Sequence, residues 1–480
     1  MSVAAPDPKR WKALAVLGVA YLMVVLDVSI VNVALPSIQR DLDFTTEDLQ
    51  WVVSGYALTF GGFLLLGGRA GDLLGRRRLF MLGLVLFAVC SLLCGLAVSS
   101  AMLIAARAAQ GAAGAILSPS VFSIVSVTFA EGSERNKALG ILGAIAGSGA
   151  AIGVLLGGVL TEYAGWEWIF FVNVPIGLAT LLLVPRLVRE SRAEGLLKHF
   201  DAMGAVTVTA SLMLLVYGLT QSTRVGWGSG QTIGVLVASA LLMAAFLAIE
   251  LRSRSPLVPL AIFRRRTLSG ANLIGFGLGT MIFGMFFLLS LYMQQVLGYS
   301  ALKTGVGYLA VALTAVVASG VSQALVTRLG VKPVLTAGMV LLGLGLAYFT
   351  QVSVGGSYLG DLLPGFLLIG VGLGFSFVPV SIAALAGVQG PEAGLASGLI
   401  NTSQQIGGAL GLAIMITVAT THTNSLLGSG AQAPQALTRG FSLAFWIGVA
   451  FAGISLLTTL VALRREDLRV EGQPAPAPIA

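Results

Sequence analysis

Charge is scarce in this chain: of 480 residues only 10% are Asp, Glu, Lys or Arg, well below the roughly 25% of a soluble domain. Histidine and cysteine are scarcer still, with two of each. Cys90 and Cys94 stand four apart inside one apolar stretch without metal-ligand spacing, so they read as packing residues. His199 and His422 fall on opposite sides of the membrane plan set out below, which leaves no histidine dyad and no metal site. No G-x-x-x-x-G-K-[ST] loop occurs; the nearest stretch, Gly298 to Thr304, lacks the glycine before Lys303, and ATP hydrolysis on such a loop is excluded. With no Ser/His/Asp set either, nothing marks an enzyme or calls for a cofactor.

What is present is apolar sequence, 56% of the chain. A membrane span needs about 20 residues, and breaks at Gly, Pro and charge give spans near 12–35, 51–67, 79–98, 102–128, 138–161 and 168–187. Two more lie near 202–220 and 231–251, and a second six near 268–293, 303–326, 333–352, 358–380, 394–420 and 441–463. The expected fold is therefore an all-α integral membrane protein of fourteen spans. A six-helix bundle covers 1–190, two linking helices 191–266, a second six-helix bundle 267–465, and a disordered Pro/Ala-rich tail 466–480. The first span is too long for a signal-peptide core and reads as a retained helix.

The net charge of +8 comes from basic residues gathered in the loops of one side, among them Lys9, Arg76 to Arg78, Arg186, Arg189 and Arg264 to Arg266. Only Arg40, Arg224, Lys303 and Arg439 fall on the other side, and Arg107 lies within a span. That asymmetry predicts cytoplasmic termini and a multi-pass protein of the plasma membrane, and it removes nucleic acid as a partner.

Asp27 and Arg107 are the charges placed deep inside spans. Each costs at least about 2.5–3.5 kcal/mol near the bilayer centre, so they are functional candidates by default. At ~1.5 Å per residue, Asp27 lies about 12–14 Å below the outer end of its helix and Arg107 about 9 Å below the start of its own, at similar depths. Burial favours the neutral form of an acid and a nearby cation the charged form. Such a pair is either a static salt bridge that fixes packing or a proton switch. Polar neighbours Asn32, Gln110, Asn173, Asn272, Gln294, Asn401, Gln404 and Gln405 are candidates for the wall of a water-filled substrate cavity, joined by Phe283 and Phe287 of the Phe-rich ninth span.

Two further patterns bear on movement. Gly68 to Arg78 (GRAGDLLGRRR) combines Gly68, Asp72 and Gly75 with Arg76 and Arg77 in a short turn, echoed by Thr327 to Val334 in the second half. It reads as a cytoplasmic gate in which Asp72 sits against a helix N-terminus from the other half. In the fifth span Gly149, Gly153, Gly157 and Gly158 clear one face of side chains, which permits close packing and also rocking of one helix on another.

Leu26 to Ile38 (LDVSIVNVALPSI), GRAGDLLGRRR, Leu103 to Ala115 (LIAARAAQGAAGA) and Trp166 to Gly177 (WEWIFFVNVPIG) occur in this order. Together they resemble the fourteen-span drug:proton antiporters of the major facilitator superfamily. The resemblance implies two pseudo-symmetric bundles and export of lipophilic or cationic compounds in exchange for protons. It places Asp27 as the acid available to proton or cation and Arg107 in proton coupling. Ser29 stands where Thr is usual, Val154 stands where the family's fifth-span motif has Pro, and Glu167 replaces an Arg. The expected partners are an amphiphilic small molecule, protons and the bilayer, and the chain is expected to act as a monomer. A proton-coupled importer of a nutrient or peptide and a non-transporting membrane sensor are the rival readings.

Overall fold

The computed structural model describes residues 9–129, 133–191, 201–253, 256–386 and 390–463, and backbone alone at 69, 71–73, 133, 136, 146–147, 202, 223–224 and 390–394. The expected tail at 466–480 lies outside the described residues. Fourteen described helices are long and apolar enough to cross a membrane. The first six are α1 (Arg10–Asp41), α2 (Thr46–Gly68), α3 (Arg76–Gly95), α4 (Ser100–Thr128), α5 (Lys137–Tyr163) and α6 (Trp168–Leu187). Between the halves run α7 (Met203–Ser222) and α8 (Gly230–Arg252). The last six are α9 (Arg266–Val296), α10 (Ala301–Leu329), α11 (Val331–Phe349), α12 (Tyr358–Leu385), α13 (Leu395–Gly428) and α14 (Ala433–Ala462).

One helix runs past the boundary that proline suggested. Pro36 was expected to close the first helix, yet α1 continues through it to Asp41, while Pro119 and Pro379 lie inside helices as the expected spans had them. A proline removes one intrahelical bond, but stopping a helix in lipid would leave several backbone groups without partners. At the other extreme, α9 ends in a widened π turn, Tyr292–Val296, which carries Gln294 and Gln295.

The packing of the second half repeats that of the first. In the first, α1 packs on α5, α2 on α4, and α3 on both α4 and α6; in the second, α9 packs on α13, α10 on α12, and α11 on both α12 and α14. The halves meet through α5 with α10 and α2 with α13, a pair of contacts related in the same way. The linking helices α7 and α8 pack on each other, and α7 lies against α2 and α13. The result is two six-helix bundles with a two-helix insert beside one seam.

Helices in lipid gain little from hydrophobic burial against one another, so close approach and shape decide which pairs form. Glycine supplies that approach. A Cβ on Gly407 of α13 would collide with the carbonyl of Phe276 on α9, and one on Gly279 with that of Gln404. In the first half Gly67 and Gly111 bring α2 and α4 together over the carbonyls of Ala115 and Tyr56. Cys90 and Cys94 are buried and form no disulfide.

Gly407→Val should therefore push α9 and α13 apart and destabilise the second bundle by about 1–3 kcal/mol. Gly320→Ala, where a Cβ meets nothing within 4 Å, should change stability by less than about 0.5 kcal/mol. Thermal unfolding followed by intrinsic fluorescence in one detergent measures both.

Candidate functional site

The two intramembrane charges touch. Arg107 on α4 donates from Nη1 to Oδ2 of Asp27 on α1 at 2.6 Å, and the two side chains are 1% and 0% exposed. The other carboxylate oxygen, Oδ1, accepts from Gln110 Nε2 at 2.7 Å and from Asn173 Nδ2 at 3.1 Å. Asn173 Nδ2 also lies 3.0 Å from Ser91 Oγ, which donates to the Phe170 carbonyl at 2.8 Å. Arg107 donates in addition to Gln110 Oε1 at 2.8 Å and, from Nε, to the Val52 carbonyl at 2.9 Å. Its guanidinium lies over the Tyr56 ring, 4.4 Å from the centroid, with Phe170 at 5.6 Å.

Helices α1, α2, α3, α4 and α6 thus meet at one acid. The local reason is spacing: Arg107 and Gln110 lie three apart on α4, so both point to the same side of it. The remaining helix of this bundle, α5, joins by contact rather than hydrogen bonding. Gly149, Gly153 and Gly157 of α5 seat on α1 against Val25, Ser29 and Ile30, the residues flanking Asp27. Gly158 turns instead toward Ala301 and Leu302 of α10. The glycine face therefore lies mainly inside the first bundle, and its last member reaches the other half. Val154 is buried, and its carbonyl faces Gly305 of α10.

The remaining expected site residues separate into groups. Gln110 and Asn173, expected on a cavity wall, are fully buried as partners of Asp27. Asn32 turns back on its own helix, donating to the carbonyls of Val28 and Ser29. Asn272 accepts from Ser403 Oγ at 2.8 Å, a link between α9 and α13. Asn401 is exposed and Gln404 and Gln405 half-buried on α13, where Gln405 packs against Gly61 of α2. Phe287 is a core side chain with 0% exposure, and Phe283 is half-buried against Gly408.

Gln294 donates to the Val33 carbonyl at 2.8 Å, and Gln295 to Gln39 Oε1 at 2.7 Å. Both tie the end of α9 to α1 on the face opposite the chain's first and last helix ends. On that same face Glu162 accepts from the backbone N–H of Leu302 at 3.4 Å.

At the turn between α2 and α3, Gly75 adopts a φ of 105°, which a side chain would strain. The backbone N–H groups of Arg77 and Arg78 donate to the Glu190 carboxylate at 3.1 and 3.2 Å, and that of Arg76 donates to the Ser191 carbonyl at 3.0 Å. The acid at the N-terminus of α3, where the dipole favours one, is Glu190 from the segment after α6, in the same half. Gly68 lies against Pro119, and the side chain of Asp72 lies outside the described residues. Sequence reasoning passed over Glu190, Ser91 and Tyr56. Ser91 and Tyr56 were legible as polar groups inside spans, whereas Glu190 was one acid in a basic stretch.

Chemically, Asp27 is an acceptor with three donors on about four acceptor sites. Taking up a proton would turn it into a donor facing donors and weaken its hold on Arg107.

Fourteen spans in two related bundles, with a buried acid in one of them, define a membrane protein built as secondary carriers are. Residues 17–412 match the family model of the Major Facilitator Superfamily, and the chain belongs to that superfamily. It is 39% identical to the puromycin resistance protein of Streptomyces alboniger over 97% of this chain and 93% of that protein. It is also 39% identical to the cephamycin export protein of Amycolatopsis lactamdurans, over 94% and 91%. The tetracenomycin C resistance and export protein of Streptomyces glaucescens is 35% identical over 85% and 75%. Among solved structures, a bacterial homologue of the lysosomal transporter Spinster, in an inward-facing and unoccupied conformation, superposes with a TM-score of 0.68 at 14% identity, covering 98% of this chain and 100% of that one. An auto-inhibited peptide transporter of the POT family gives 0.68 at 15%, covering 97% and 99%. At such identity these two likenesses concern fold alone.

Gln110→Leu should cost about 1.5–3 kcal/mol in thermal unfolding, because it strips a donor from Asp27 and an acceptor from Arg107. Tyr56→Phe should be close to neutral, since among the described residues the Tyr56 hydroxyl has no hydrogen-bond partner.

Proposed function

We propose that the chain is a proton-coupled antiporter that exports lipophilic or cationic small molecules, in the manner of multidrug and antibiotic efflux. The observation that carries this reading is the sealed contact between Asp27 and Arg107, an acid whose three donors must rearrange when it takes a proton. The relatives named above for antibiotic resistance and export support the substrate class.

In this reading the face with the chain's first and last helix ends is cytoplasmic, as its basic loops favour. The outer face is held shut by the ties of Gln294 and Gln295 to α1 and of Glu162 to α10. The bodies over 1–190 and 267–465 rock about the α5–α10 and α2–α13 seams, while the linking helices over 191–266 ride on α2 and α13. Substrate enters from the cytoplasm against Asn401, Gln404 and Gln405 of α13, with Asn32, Asn272 and Phe283 nearby. After the bodies rock open to the outside, protonation of Asp27 loosens Arg107, frees α1 to shift, and releases substrate outward. Return of the proton to the cytoplasm restores the pair. Gly68, Asp72, Gly75, Arg76 and Arg77 act at the cytoplasmic gate, Gly158 lets α5 roll on α10, and the monomer in the plasma membrane is the working unit.

Asp27→Asn tests the mechanism, because the amide keeps the shape and one acceptor, and Arg107 retains Val52, Gln110 and Tyr56. In inverted vesicles the variant should lose drug-triggered proton release, to background, against a panel of cationic, neutral and anionic drugs. Its melting curve should remain cooperative. Wild-type proton release would overturn Asp27 as the coupling acid, and silence of the wild-type protein toward every drug would overturn the efflux reading.

A further inference from the structure

Two hollows on the surface of the first bundle adjoin along α6. The larger, about 490 Å³, is an apolar groove in which Ala15, Val16 and Val19 of α1 face Ile176, Ala179 and Leu183 of α6. Ala15 and Ala179 leave the groove open where longer side chains would close it, and both are exposed. The second hollow, about 220 Å³, is lined by Lys9, Arg77, Arg186 and Arg189 with Pro185 and Val188. It starts two residues beyond Leu183, where the groove stops.

The basic hollow has a fixed frame. The segment after α6 folds back on the start of α3, where Glu190 holds the backbone of Arg77 and Arg78, and Arg77 Nη1 donates to the Val188 carbonyl at 3.3 Å. Glu190 Oε2 lies 3.8 Å from Arg77 Nε and 3.7 Å from Arg78 Nε, which fixes these side chains beside the hollow.

We propose that the two hollows together hold one anionic glycerophospholipid, its phosphate among Lys9, Arg77, Arg186 and Arg189 and an acyl chain along the α1–α6 groove. A free anion would use the basic hollow and leave the groove unaccounted for. A zwitterionic lipid would place its own cation among the arginines. The bound lipid braces α1 against α6, and these helices carry Asp27 and its partner Asn173. Basic hollows between membrane helices are suited to phosphate headgroups, and each Lys or Arg contributes appreciably at the membrane surface.

The test uses the full chain in a neutral detergent, titrated with phosphatidylglycerol, phosphatidylcholine or inorganic phosphate while its melting temperature is followed. Phosphatidylglycerol should raise the melting temperature saturably, and the other two should not. The double variant Arg186→Gln, Arg189→Gln should weaken the apparent affinity for phosphatidylglycerol roughly thirtyfold. Ala179→Phe, which fills the groove without touching the charges, should weaken it by at least about tenfold. Equal stabilisation by phosphatidylcholine, or by inorganic phosphate, would overturn the proposal, as would an unchanged response in Ala179→Phe. That last variant decides the matter alone if the double variant does not fold.

Discussion

Asp27 and Arg107 lie 2.6 Å apart with at most 1% of either side chain exposed. Taking two such ions out of water costs several kcal/mol apiece, and their attraction compensates only if the remaining hydrogen-bonding groups are also satisfied. The interior of the first bundle is arranged to do this. Gln110 serves both ions, Asn173 adds a donor to the acid, Val52 offers a carbonyl, and Tyr56 offers a ring face to the cation. Helices α1, α2, α4 and α6 supply the members of this set, and Ser91 of α3 joins it through Asn173.

The second bundle repeats the helix packing, and among its described residues there is no buried ion pair. Where α1 and α5 flank Asp27, the equivalent α9 and α13 are joined by the neutral bond between Asn272 and Ser403 and by glycines laid over carbonyls. One architecture thus carries a buried ion pair in one half and a neutral side-chain bond at the matching place in the other. The glycines of α5 link the two: three seat on α1 beside the acid, and the fourth rests on α10. α1 also meets the opposite bundle directly, through Gln294 and Gln295 at the end of α9.

Much of this plan was legible in the chain. Apolar length and breaks gave fourteen spans, and residue counts put Asp27 and Arg107 at similar depth. Boundaries were less legible, because Pro36 looks like a stop to local rules while lipid makes stopping more costly than one missing bond. Gln110 and Asn173 were recognisable as unusual polar groups, but not as ligands of Asp27. Glu190 could not be singled out from the basic residues around it, since its role depends on a segment folding back onto the α2–α3 turn.

By itself, then, the sequence determined that the chain crosses a membrane repeatedly, that its halves are related, and which two charges lie deep within it. These follow from composition and from distances along a helix axis, which one-dimensional order fixes. The tertiary structure decided that those charges touch, that Gln110 and Asn173 close around the acid, and that the glycine face of α5 is turned mainly toward α1. Such facts depend on the rotation of each helix about its axis and on which neighbours it meets. Both are settled by the joint requirement to pair buried polar groups and close the gaps between backbones.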